Sequence, residues 1–245
     1  MRADIFLAEQ GLAPSRETAK KLILGGCVRI CGSTVKKPSC DIGDGVPASD
    51  VEILPSEDTR YVSRGGLKLE AALDSFGIDV SGMRAIDIGA STGGFTDCLL
   101  AHGAASVTAV DSGHGQLSPV LAADPRVRSL EGINARYITP DTVGGEYDIV
   151  VMDVSFISQT LILPAIPALL RGGGIFLSLV KPQFEVGRSG VGKGGIVRSA
   201  SARERAVKSV SAAAGALGLV KIGLITSPVT GGDGNIEYIA YFHKK

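Results

Sequence analysis

The segment Ile86-Asp87-Ile88-Gly89-Ala90-Ser91-Thr92-Gly93-Gly94-Phe95-Thr96-Asp97 is an apolar run that breaks into glycines and resumes as an amphipathic stretch through Leu99 and Leu100. That pattern predicts a strand, a tight turn and a helix N-terminus. Glycines let a ligand approach the backbone closely, and the first free N–H groups of a helix offer donors and a partial positive charge. A nucleotide-like cofactor suits such a turn. The dinucleotide fingerprint G-x-G-x-x-G is not met, because the glycines stand at 89, 93 and 94. A phosphate loop would carry lysine after its second glycine, where this chain has Phe95. Asp87 in the turn's lead-in and Asp111 at the end of the next apolar run suit a cationic, ribose-bearing ligand better than a polyphosphate. S-adenosylmethionine, with a positive sulfonium and no phosphate, has that chemistry. The plain alternative is a glycine-rich turn that only joins strand to helix. The cofactor candidates are Asp87, Gly89, Ala90, Ser91, Thr92, Gly93, Gly94, Phe95 and Asp111, joined by Asn134 and Asp153 after later strands.

A second chemical residue is Lys181, in Val180-Lys181-Pro182-Gln183-Phe184-Glu185, because it directly ends an apolar strand. Desolvation there would ready its amine to accept a proton, whereas a lysine that snorkels to solvent would stay an ordinary cation. The stretch from Gly187 to Gly195 follows as a glycine-rich basic loop, with Arg188 and Lys193 able to close over RNA.

Alternating segments position these groups. Strands are expected near 84–88, 106–111, 127–130, 148–153, 174–180, 219–227 and 236–242, and helices near 66–76, 94–102, 116–123, 159–170 and 200–217. Such alternation predicts an α/β, Rossmann-like, doubly wound and mainly parallel sheet whose ligands sit beyond the carboxyl ends of the strands. A length of 245 residues and a 44% hydrophobic fraction allow one large and one small domain. The apolar runs are interrupted by Pro164, Pro167 and Lys181, well short of the roughly 20 residues of a membrane span. The first ten residues carry Arg2, Asp4 and Glu9 rather than a signal peptide's apolar core, so a cytoplasmic protein is expected. Cys27, Cys31, Cys40 and Cys98 match no metal-ligand spacing and are expected to be small buried hydrophobes, with no metal bound.

Net charge is zero, but its distribution is polarised: residues 16–37 hold six basic residues and one acidic, and residues 41–58 hold six acidic and no basic. Two helices, around Ile5-Phe6-Leu7 and from Ser15-Arg16-Glu17 through Ile23, precede short alternating segments at Val28-Arg29-Ile30-Cys31 and Val51-Glu52-Ile53-Leu54, with Gly32-Ser33 as a hairpin turn. Arg16 and Lys20 share a helix face and Lys36-Lys37 leave the hairpin, an arrangement that can grip a phosphate backbone. Arg2-x-Asp4-x-x-Leu7, Ser15-Arg16-x-x-Ala19, Ile23-x-x-Gly26-x-Val28 and the Lys36-Lys37-Pro38 end resemble the alpha-L RNA-binding motif, with Cys31 where an asparagine is typical. The resemblance implies a small α+β RNA-binding domain over residues 1–58, followed by a linker at 59–63.

Across residues 64–245, with the linker before them, five ordered motifs resemble the TlyA family: Tyr61-Val62-Ser63-Arg64-Gly65-Gly66-x-Lys68-Leu69, the glycine turn, Asp153-Val154-Ser155-Phe156-Ile157-Ser158, Lys181-Pro182-Gln183-Phe184-Glu185, and Gly234-Asn235-Ile236-Glu237-Tyr238. That family comprises ribosomal-RNA cytidine-2′-O-methyltransferases of FtsJ-like fold, historically labelled hemolysins. The resemblance implies S-adenosylmethionine as cofactor, ribosomal RNA or ribosomal subunits as partner, and a catalytic set of Lys68, Asp153, Lys181 and Glu237. Within it Lys181 would take the proton of a ribose hydroxyl, Asp153 would steer it, and Lys68 and Glu237 would hold the ribose. RNA contacts are expected from Arg2, Arg16, Lys20, Lys21, Lys36, Lys37, Arg64, Arg188 and Lys193. The chain departs from the family in having His114 where some members carry an aromatic, and Tyr61 at the linker tryptophan. A membrane-active cytolysin and a non-catalytic RNA-binding assembly factor are the competing classes; the first lacks a spanning pattern and the second would need a decayed catalytic set.

Overall fold

The computed structural model describes residues 1–13, 15–43, 45–54, 60–187, 190–231 and 234–245. Two compact units divide the chain, Met1–Arg60 and Tyr61–Lys245.

In the first unit, helix α1 (Ala3–Glu9) and helix α2 (Arg16–Leu24) pack over an antiparallel sheet of order β2-β1-β3, formed by β1 (Val28–Ile30), β2 (Ser33–Thr34) and β3 (Val51–Ile53). Ser15 caps α2 by accepting from the Thr18 amide at 3.2 Å. Leu7, Ala19, Ile23 and Val28 fill the small core. The hairpin turn is Cys31-Gly32, one residue earlier than the expected Gly32-Ser33: Ile30 faces Ser33, and both turn residues have positive φ, 48° and 75°. A two-residue turn matching strand twist needs that conformation twice, which explains why asparagine, more tolerant of it than cysteine, suits position 31. The turn also points Cys31 to solvent, and Cys40 is exposed as well, so only Cys27 and Cys98 are the buried hydrophobes expected of all four.

The second unit is a seven-stranded sheet of order β6-β5-β4-β7-β8-β10-β9. Its strands are β4 (Arg84–Ile88), β5 (Ser106–Val110), β6 (Val127–Leu130), β7 (Tyr147–Met152), β8 (Leu170–Val180), β9 (Leu219–Thr226) and β10 (Tyr238–Lys244). The first five in spatial order are parallel, and β10 runs antiparallel between β8 and β9. Alternate residues of β7 serve opposite faces. Ile149 and Val151 pack with Leu69 and Leu73 of α3 (Gly65–Phe76) and Leu99 of α4 (Gly94–Ala101). Val150 and Met152 pack with Val210 and Ala214 near the C-terminal end of the long helix spanning Ala200–Ala216.

Two expected helices are shorter than the sequence suggests. Residues 159–170 form 3-10 turns at Gln159–Leu161 and Leu163–Ala165 and one α-turn, Ile166–Leu169, because Pro164 and Pro167 each remove a donor and clash with the preceding turn. The strand then begins at Leu170 rather than 174. Over 116–123 only Pro119–Ala122 is helical, started by the proline at its first position.

Candidate active site

β4 enters the crevice flanked by β5 and β7, where the strand order reverses, and the glycine turn follows it directly. Gly89 has φ +86°, and a Cβ there would fall on the Asp153 carbonyl. Only glycine lets the turn after β4 lie this close to the loop after β7. Gly93 serves packing instead: a Cβ on it would meet Leu117 and Leu121. Asp87 is fully buried, and its Oδ2 accepts from the Thr96 amide at 2.9 Å and the Thr96 hydroxyl at 2.7 Å. Its Oδ1 is buried without a hydrogen-bond partner among the described residues. Burial pushes the Asp87 carboxyl up to about 7, opposed by the Thr96 hydroxyl and reinforced by the charge of Asp153. Asp111 accepts the Ser91 amide at 2.8 Å and the Gly113 amide at 2.7 Å, which aims its carboxylate at the same crevice.

Two adjoining cavities open here. One, of about 310 Å³, is polar and is lined by Arg64, Lys68, Asp87, the glycine turn and Lys181. The other, of about 480 Å³, is walled by Val110, Ile133 and Ile162 and carries Asp111 and Asn134. Gly89, Ser91, Asp153 and Ser155 line both. Asn134 also caps a 3-10 turn, accepting the Arg136 amide at 3.1 Å.

The four lysines and carboxylates come together as two ion pairs. Lys181 Nζ lies 2.5 Å from Asp153 Oδ1 and donates to Ser155 Oγ at 2.8 Å. Lys68 Nζ donates to Glu237 Oε2 at 2.5 Å. Lys68, Asp153 and Lys181 face the polar cavity, while Glu237, 2% exposed, stands behind Lys68.

The candidate RNA contacts divide. Lys21, Lys36 and Lys37 are exposed, but Arg2 and Arg16 both engage the buried Asp4, at 2.9 and 3.2 Å. The Arg2 guanidinium beside Asp4 holds its carboxyl below the usual carboxylate range. Lys20 faces Glu17 at 3.4 Å. Arg64 lines the polar cavity, Lys193 is exposed on a glycine turn, and Arg188 lies outside the described residues, as does Thr59 of the linker. Tyr61 is buried in the second unit, its hydroxyl donating to Glu70 at 3.0 Å. The His114 ring lies over Gly132 and lines neither cavity.

Sequence reasoning missed two supports. Asn235, 1% exposed, accepts the Val197 amide and donates to the Gly195 carbonyl, both at 2.9 Å, fastening the basic turn to the segment that leads to Glu237. Glu185 ties the loop after β7 to the end of β8, through Ser158 Oγ at 2.6 Å and the Gln159 amide at 2.8 Å. Both lie inside quoted motifs, yet their partners are distant in sequence.

Fold and site together define a methyltransferase with an appended S4 domain: the FtsJ-like methyltransferase model matches residues 61–244 and the S4 domain model residues 1–45. The 16S/23S rRNA (cytidine-2′-O)-methyltransferase TlyA of Mycobacterium tuberculosis is 45% identical over 98% of this chain and 88% of its own. Hemolysin A of Brachyspira hyodysenteriae is 42% identical over 99% of both. A solved hemolysin-named structure from Streptococcus thermophilus is 47% identical, with a TM-score of 0.77 over 100% of this chain and 88% of that one. The chain belongs to the TlyA family of FtsJ-like methyltransferases, in which hemolysin is a historical label. Among the described residues no helix is long and apolar enough to cross a membrane.

Proposed function

We propose that the chain transfers a methyl group from S-adenosylmethionine to the 2′-hydroxyl of a cytidine in ribosomal RNA, in the cytoplasm, with residues 1–58 gripping the RNA and residues 64–245 carrying out the transfer. The observation that carries this reading is the Lys181–Asp153 pair at the junction of two cavities, one polar and one apolar-walled. It is supported by the curated activity of TlyA relatives on ribosomal RNA.

The residues fit the cofactor. The uncommitted Asp87 Oδ1 suits an ammonium group, Asp111 suits ribose hydroxyls, and Val110, Ile133 and Ile162 suit an adenine ring. Bound there, S-adenosylmethionine supplies an electrophilic methyl on a cationic sulfur. A ribose hydroxyl is a poor nucleophile at neutral pH, so its proton must be taken as the bond forms. The Lys181–Asp153 pair takes it, the carboxylate beside the amine balancing the charge that the proton brings. Lys68, locked to Glu237, presents a fixed cation to the ribose, and Arg64 offers a second to the RNA backbone. Arg2, Arg16, Lys20, Lys21, Lys36, Lys37, Arg188 and Lys193 are the remaining proposed RNA contacts.

Single-turnover methylation of ribosomal subunits, read as 2′-O-methylcytidine, tests the reading. Lys181→Ala should lose on the order of 10²-fold or more in rate while keeping S-adenosylmethionine affinity. Lys181→Arg should be nearly as inactive, because a guanidinium does not give up its proton. Robust transfer by the arginine variant would remove Lys181 from the proton step. No transfer by wild type would favour the assembly-factor reading.

A further inference from the structure

Lys181 has a second fixed partner besides Asp153. Its Nζ donates to Ser155 Oγ at 2.8 Å, and Ser155 lines both cavities, so the hydroxyl stands where donor and acceptor must meet. Both partners come from one short segment after β7. A lysine amine on its flexible stem has many orientations available. Asp153 holds the amine by charge, and the Ser155 hydrogen bond is the contact that fixes one of its directions and leaves the others to face a substrate.

That segment is rigidly made. Phe156, 92% exposed, adopts φ +64°, a conformation that L-residues avoid and that persists only where neighbours over-determine it. What over-determines it is a clasp onto β8 and its following turn. Glu185 accepts from Ser158 Oγ at 2.6 Å and from the Gln159 amide at 2.8 Å. The Gln159 side chain, 1% exposed, donates to the Leu179 carbonyl and accepts from Ser178 Oγ at 2.6 Å. Asp153 N donates to the Ile88 carbonyl at 3.0 Å, which pins the other end of the segment to β4. The Ser155–Lys181 contact is therefore set by the fold before any substrate arrives. Serine is also the apt type: a neutral oxygen orients the amine without adding a second carboxylate beside Asp153.

We propose that Ser155 is a positioning residue for methyl transfer, its hydroxyl aiming the Lys181 amine at the acceptor hydroxyl, with Glu185 holding the loop that carries it. The proposal rests on the methyltransferase reading above and adds to it a residue outside the lysine–carboxylate set.

The test uses the full chain and ribosomal subunits in single-turnover methylation, with S-adenosylmethionine affinity from calorimetry and the half-saturating subunit concentration measured alongside. Ser155→Ala should lower the rate at saturation up to about tenfold, the scale of one hydrogen bond, and leave both affinities within about twofold. Ser155→Thr should restore most of the rate, because it returns the hydroxyl. Glu185→Gln should slow transfer too, and adding Ser155→Ala to it should cost less than the single effects combined. A wild-type rate in Ser155→Ala would overturn the proposal. So would a loss confined to either affinity, which would make Ser155 a ligand contact, or a threonine variant no better than alanine. An inactive wild type would instead overturn the methyltransferase reading and this proposal with it, so the two failures are distinguishable.

Discussion

Cofactor affinity should depend on pH through Asp87. The carboxyl is raised from 3.8 to about 7, first by burial, against the opposing Thr96 hydroxyl. A raised carboxyl binds its proton more tightly in the folded chain than in the unfolded one. Its ionised form therefore costs the unliganded fold on the order of 4 kcal/mol, fully felt above about pH 7 and absent below about 4. A cationic ligand amine beside the buried, unpartnered Oδ1 needs that ionised form. About nine-tenths of Asp87 is ionised at pH 8 and about one-tenth at pH 6, so S-adenosylmethionine should bind roughly tenfold more weakly at pH 6. Calorimetry is the natural assay, since the chain has no tryptophan to report binding. Repeated in buffers of different ionisation enthalpy, it should also count close to one proton released on binding at pH 6. Asp87→Asn would point either an amide donor at the ligand or the same donor at Thr96. It should bind at least about 10²-fold more weakly at pH 8 and show no such slope. A wild-type affinity flat from pH 6 to 8 would refute the reasoning, as would a slope that survives in the asparagine variant.

Four further outcomes are expected. Gly89→Ala, which sets a Cβ on the Asp153 carbonyl at a positive φ, should cost about 1–3 kcal/mol of stability by thermal melt and at least tenfold in cofactor affinity; unchanged values would mean the turn has room to move. Asn235→Ala should raise the half-saturating ribosomal-subunit concentration severalfold with cofactor affinity unchanged, because it frees the turn carrying Lys193; a loss confined to the saturated rate would show that it acts through Glu237 instead. Charge reversal at Lys36 and Lys37 should weaken RNA binding about tenfold or more and lower the salt slope by about two without moving the thermal midpoint. Arg16→Glu should lower that midpoint as well, since it sets a carboxylate against buried Asp4; equal midpoints would show that Arg2 alone suffices.

The sequence by itself determined the features that depend on neighbouring residues. Apolar runs between glycines foretold most strands, and Phe95 in place of a lysine after the second glycine argued against the phosphate loop, because backbone approach and side-chain type are local properties. It misjudged 159–170, where apolar periodicity favoured one helix and two prolines prevailed, and it set the hairpin turn one residue late. Only the tertiary structure decided who partners whom. Lys68 meets Glu237 across 169 positions, and Asn235 reaches the Val197 amide across 38. Asp4, in the sequence only one position of a motif, draws Arg2 and Arg16 partly inward from the proposed RNA contacts. The insertion of β10 antiparallel between β8 and β9 brings Glu237 to the mouth of a sheet whose other active-site residues come from parallel strands and α3. Such pairings follow from long-range burial, which leaves each buried charge or amide needing a partner, and no local pattern records which distant group will supply it.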